Sequence, residues 1–197
     1  MSAVPVPRFT PEQYLLLERA ATQRSELING EIYAMAGVSR EHSLIVTNLG
    51  RELSNRLRGR PCETHLTDLR LSVPDTRLYT YPDALVICDE PHFVDEQFDT
   101  VTNPIALFEV LSPSTEAYDR GAKFAHYRRL TSLKYYVLIS QAEPLVERYE
   151  RQESNTWLLT ELRGLDATLD LPALQVSIPL HDLYERIVFT EPEHPTG

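Results

Sequence analysis

The chain has 197 residues and a mass of 22.6 kDa, which suits one domain with a substantial core. Hydrophobic residues make up 42%, charged residues 24% and aromatics 9%, so disordered and fibrous architectures are disfavoured. With 29 acidic against 19 basic residues the net charge is −10, a poor balance for non-specific nucleic-acid binding, and runs such as Ala84–Cys88 fall far short of the ~20 apolar residues of a membrane span. Met1 to Thr10 carries no basic-then-apolar pattern, so a cytoplasmic protein is expected. Cys62 and Cys88 are too few for a disulfide framework, and two buried, reduced thiols are expected.

Thr10-Pro11-Glu12-Gln13 reads as a capped helix start, with the helix running to about Ala21. Two short strands, Arg24 to Ile28 and Glu31 to Met35, flank Asn29-Gly30, a hairpin turn. Ser39 caps a second helix whose stripe Val46, Leu49, Leu53 and Leu57 ends near Gly59, and His42 lies one turn before it on the inward side. Alternation from Cys62 to Val73 predicts a half-buried strand. Tyr81 to Cys88 and Ile105 to Leu111 predict core strands, and the acidic stretch Asp89 to Asn103 between them a surface loop. After Ser112-Pro113-Ser114 a helix of about a dozen residues running to Leu130, and a strand from Lys134 to Ile139, complete a parallel crossover. Strands at Leu145 to Glu150 and Thr156 to Leu162, a short helix within Leu180 to Ile187 and a frayed tail over 190–197 finish the chain.

Charge is unevenly spread. Residues 40–60 hold five arginines against two glutamates, and residues 116–134 hold Arg120, Lys123, Arg128, Arg129 and Lys134 against Glu116 and Asp119. Only two lysines occur, Lys123 and Lys134, so a lysine here is an uncommon choice. Two acids stand inside apolar strands, Asp83 in Tyr81–Val86 and Glu109 in Leu107–Leu111, where burial disfavours the charged form unless something compensates it. Brought together on adjacent strands they would repel, and a divalent cation would relieve that repulsion. A strand-end cap for Asp83 and an arginine partner for Glu109 is the plainer alternative.

Pro82-Asp83 followed by Glu109-Val110 resembles the PD-(D/E)XK nuclease superfamily. The wider pattern of Glu26–Glu31, His42, Pro82-Asp83, Glu109 to Thr115, Asp119, Lys123, Tyr127 and Tyr135 to Val137 is similar to the Uma-type restriction endonuclease family. The likeness covers residues 9 to 189. It implies an α/β fold with a mixed central sheet flanked by helices, restriction-endonuclease-like, and a DNA endonuclease dependent on Mg2+, with Mn2+ as substitute. Asp83 and Glu109 would be the metal ligands, with the Val110 carbonyl beside them, and Glu26 a further acid. The superfamily places its lysine two residues after the second acid, and here that position is Leu111. Lys123 is the candidate replacement, because it and Tyr127 project from one side of the following helix, and His42 is the next candidate. Asp119 reads as a helix-start acid. Arg120 and Tyr127 are candidate nucleic-acid contacts, and a homodimer or higher oligomer is expected, since cutting both strands needs two centres. A degenerate domain that binds nucleic acid or protein without catalysis is the main rival, and a carboxylate-pair sugar hydrolase is a weaker one.

Overall fold

The computed structural model describes residues 8–189; the tail expected over 190–197 lies outside them. Thr10 caps α1 (Pro11–Ala20) through a complete capping box, its hydroxyl accepting from the Gln13 N–H at 3.3 Å and its own N–H donating to Gln13 Oε1 at 2.9 Å. Asn29 and Gly30, with φ of 53° and 85°, turn β1 (Ser25–Ile28) into β2 (Glu31–Ala34). Ser39 caps α2 (Arg40–Leu57) by accepting the His42 N–H at 3.0 Å, and the helix buries Ile45, Leu49 and Leu53.

The alternation from Cys62 to Val73 is two strands, β3 (Cys62–Leu66) and β4 (Arg70–Val73), because Thr67 takes a left-handed φ of 40° and the chain leaves one sheet for another. A turn leads to β5 (Leu78–Thr80), and β6 (Ala84–Cys88) follows. The acidic stretch is not wholly a loop. It contributes β7 (Thr100–Val101), and Arg19 fastens it through Asp95 and Asp99, both at 2.8 Å, while Arg70 holds Asp99 at 2.9 Å.

After β8 (Ala106–Leu111) the predicted helix is interrupted. It consists of α3 (Glu116–Tyr118), a π-helical turn over Asp119–Lys123 and α4 (Phe124–Tyr127). Then come β9 (Tyr135–Ser140), β10 (Leu145–Arg151) and β11 (Trp157–Arg163). An unanticipated hairpin of β12 (Thr168–Leu171) and β13 (Val176–Pro179) leads into α5 (Leu180–Leu183).

The central sheet is mixed, ordered β11-β10-β9-β8-β6-β3, with β8 and β9 parallel across the crossover and the other pairs antiparallel. A second sheet runs β2-β1-β5-β4-β7. Alternate residues of the central strands serve opposite cores. Val86, Phe108, Val110 and Val137 pack with α2, the β12–β13 hairpin and α5, whereas Leu85, Leu107, Leu111 and Leu138 pack with Leu71, Leu78 and Tyr127. The cysteines, expected as reduced thiols, form a disulfide, because the β3–β6 register sets Cys62 directly opposite Cys88. Among the described residues no helix is long and apolar enough to cross a membrane.

Candidate active site

Antiparallel pairing of Ala84 with Phe108 sets Asp83, at the entry to β6, level with Glu109 on β8. Period-two alternation then puts both carboxylates on the face that carries Leu85, Leu107 and Leu111. Asp83 is held at both oxygens: Oδ2 accepts the Val110 N–H at 2.7 Å, and Oδ1 lies 2.9 Å from His42 Nε2, delivered by the first turn of α2. His42 therefore serves Asp83 from behind.

Glu109 is 4% exposed, and its Oε1 receives two donors, the Tyr127 hydroxyl and Lys123 Nζ, each at 2.8 Å. Lys123, 6% exposed, also lies 3.3 Å from Asp119 Oδ1, and Asp119 is itself buried. A π-helical turn spans Asp119–Lys123. Asp119, Lys123 and Tyr127 recur every four residues across it and all face inward, while the Tyr136 hydroxyl donates to the Asp119 carbonyl at 3.0 Å and holds the widened turn against β9. Leu111, at the motif's lysine position, is packed in the apolar core, and the ammonium beside Glu109 is that of Lys123.

Burial is the largest influence on Glu109 and pushes its carboxyl up to about 8, with Lys123 holding it down and Asp119 and Asp83 raising it further. Burial opposes the charge on Lys123 as well, but Glu109, Tyr127, Glu26 and Asp119 outweigh it and keep the ammonium protonated well above its ordinary range. Tyr127 is raised by burial and then by Glu109, so its hydroxyl remains a donor.

Glu26, on β1, binds the Thr80 hydroxyl and accepts the Tyr81 N–H at 3.4 Å, and its charge is felt at Lys123 and Tyr118. Tyr127 is fully buried, so its contact is Glu109 and not a nucleic acid. Arg120 pairs with Glu116 at 2.9 Å and with Glu147 of β10, so its guanidinium is occupied by carboxylates and is not an open phosphate-facing cation. Sequence reasoning missed two members. Asp119 is the buried partner of Lys123 and not only a helix-start acid, a role signalled by its spacing of four. Tyr118, one residue earlier, has a buried hydroxyl without a hydrogen-bond partner.

Among the described residues no three His, Cys, Asp or Glu side chains lie close enough to hold a metal by themselves. The donor set nonetheless suits magnesium, a hard ion that takes one or two carboxylates and keeps several waters. Asp83 and Glu109 supply two hard oxygen donors on one face, and the protein donors to Glu109 both address Oε1.

A mixed sheet with paired acids on adjacent strands and helices on its flanks defines a restriction-endonuclease-like α/β protein. A crystal structure from Anabaena variabilis, described as a "putative nuclease belonging to DUF820", has this fold: its TM-score is 0.73 at 20% identity, over 93% of this chain and 100% of that one. The family Uma2, described as "Putative restriction endonuclease", matches residues 11–181, and the chain belongs to it. Two Synechocystis sp. proteins are similar along most of their length. One, slr1290, is 36% identical over 187 residues, 95% of this chain and 97% of that protein; the other, sll1609, is 39% identical over 167 residues, 85% and 94% respectively.

Proposed function

We propose that this chain is a metal-dependent endonuclease that hydrolyses phosphodiester bonds in DNA. The observation that supports it most is the position of Lys123: where the strand offers leucine, the helix delivers a buried ammonium to the second acid at 2.8 Å. A bound magnesium ion would be held by Asp83 and Glu109 and would supply Lewis acidity toward the phosphate and a more acidic water. The chain's own groups do the rest. Val110 N–H and His42 fix Asp83, and Tyr127 fixes Glu109, so neither carboxylate has to reorganise when a ligand arrives. Lys123 orients the attacking water and offers positive charge to the phosphate as negative charge develops.

Leu111 supports a second reading, a domain that keeps the fold and binds nucleic acid without cutting it. Titration calorimetry with Mn2+ and nicking of supercoiled DNA separate the two. Under the nuclease reading the wild type binds Mn2+ and nicks DNA, and Asp83→Asn and Glu109→Gln lose metal. Lys123→Met, once circular dichroism shows it folded, still binds metal but cleaves at least about 10²-fold more slowly. DNA binding with no uptake of Mn2+ at millimolar concentration supports the second reading instead.

A further inference from the structure

The central sheet ends on β11, and that edge is unguarded. β11 has seven residues, Trp157–Arg163, whereas β3, β2 and β7, the outermost strands elsewhere in the two larger sheets, have five, four and two. Its register with β10 is unbroken over all seven pairs, so no bulge twists it away, and it contains neither proline nor lysine. Leu158 is 52% exposed and Leu159 44%, on opposite faces of the strand; among the described residues only Tyr33 is another exposed large hydrophobic side chain within a strand. The strand's two charges do not protect it, because Arg163 closes on Glu161 at 2.9 Å and each cancels the other. Among the described residues no strand pairs with the outer side of β11.

The backbone identifies the free groups. At the two ends of the β10–β11 ladder the Gln152 N–H donates to the Thr156 carbonyl at 2.9 Å and the Gly164 N–H to the Pro144 carbonyl at 2.8 Å. Hydrogen-bonded pairs of an antiparallel ladder recur every second residue, so Leu158, Thr160 and Leu162 also turn their backbone groups to β10. Trp157, Leu159, Glu161 and Arg163 turn theirs outward, four N–H donors and four carbonyl acceptors in one row. Such a row fits an extended strand.

The side chains point to which strand. Set antiparallel to itself, β11 pairs all seven of its residues in one register, with a twofold axis through Thr160; any other register leaves residues unpaired. Leu159 then lies opposite the partner's Glu161 and Trp157 opposite the partner's Arg163, so every outward donor meets an outward acceptor. Leu158 lies opposite the partner's Leu162, which gives the exposed leucine an apolar neighbour, and the indole of Trp157 meets a cation.

We infer that β11 is a self-association edge: two copies of this chain join antiparallel about Thr160, and their six-stranded sheets become one continuous sheet. A contact of this kind uses the same surface on both copies and therefore closes at two. It does not depend on the nuclease reading.

Light scattering after gel filtration should give the wild type twice the 22.6 kDa chain mass at micromolar concentration. Leu159→Pro removes an outward N–H and no bond to β10, so it should give the single mass while circular dichroism and Tm stay near those of the wild type. Leu158→Lys, at a side chain exposed in the single chain, should do the same. Thr160→Cys would stand opposite itself at a non-hydrogen-bonded pair, where Cα atoms lie about 4.5 Å apart, so mild oxidation should link it into a covalent dimer on a non-reducing gel. Leu158→Cys, which faces leucine, should not link, and the chain's own cysteines are already joined to each other. A wild type of single mass overturns the inference and leaves the edge to another segment or another protein. So does a folded Leu159→Pro or Leu158→Lys that keeps the double mass, or a Thr160→Cys that links no faster than Leu158→Cys. Should Leu159→Pro fail to fold, Leu158→Lys and the two cysteine variants decide.

Discussion

Lys123 carries more of the site's electrostatics than any other side chain, since it alone neutralises both Glu109 and Asp119. Glu109 is raised to about 8 in the fold from an ordinary 4.5, so between those values the folded protein holds a proton that the unfolded chain releases. Its stabilising influence is therefore full below about pH 4.5 and is lost as pH rises through 8. Removing Lys123 steepens that loss, because Glu109 and Asp119 then have no cation beside them. Lys123→Met should cost about 3–5 kcal/mol at pH 8, the scale for a broken buried pair, and less at pH 5, where Glu109 is protonated in either protein. Urea unfolding of the metal-free proteins at both pH values measures this, and equal losses would show that the two acids do not depend on Lys123 for their charge.

At the level of elements, the parts built from local chemistry were readable in advance. Thr10 and Ser39 announce their helices, Asn29-Gly30 its hairpin, and the acids at 83 and 109 betray themselves because carboxylates are out of place in apolar strands. What depends on distant register was not. The strand break at Thr67 has no glycine or proline to mark it, the disulfide follows from how β3 meets β6, and Arg120 is decided by Glu147, contributed by a strand more than twenty residues later. The π-helical turn is likewise invisible, since its residues would suit an ordinary helix. It contains Gly121, whose added Cβ would meet nothing within 4 Å, so the turn is not there to avoid a clash. Deleting Gly121 should convert the turn to plain α-helix and break the spacing of Asp119 against Lys123 and Tyr127. The variant is expected to keep its far-ultraviolet circular dichroism while losing Mn2+-dependent nicking; full nicking would mean that the register of this helix is immaterial.

For the whole molecule, the central sheet carries a core on each face and shares one of them with the second sheet, and the acid cluster sits beside that shared face. The −10 charge is distributed accordingly: acids are fastened to arginines over much of the surface, as Asp95 and Asp99 are to Arg19 and Glu185 is to Arg51. The outermost strand of the central sheet, β3, is stitched to β6 by Cys62–Cys88, which closes a loop with a sequence separation of 26. Closing a loop of that size restricts the unfolded chain by about 3 kcal/mol, so reduction with dithiothreitol should lower Tm by about 6–12 °C, and Cys88→Ser should melt at the reduced value with or without reductant. Asp83 precedes the opposite end of the strand that Cys88 closes. One gene product would thus exist in two grades of heat tolerance, and the melting curve of a sample would record the oxidising history of the surroundings it came from.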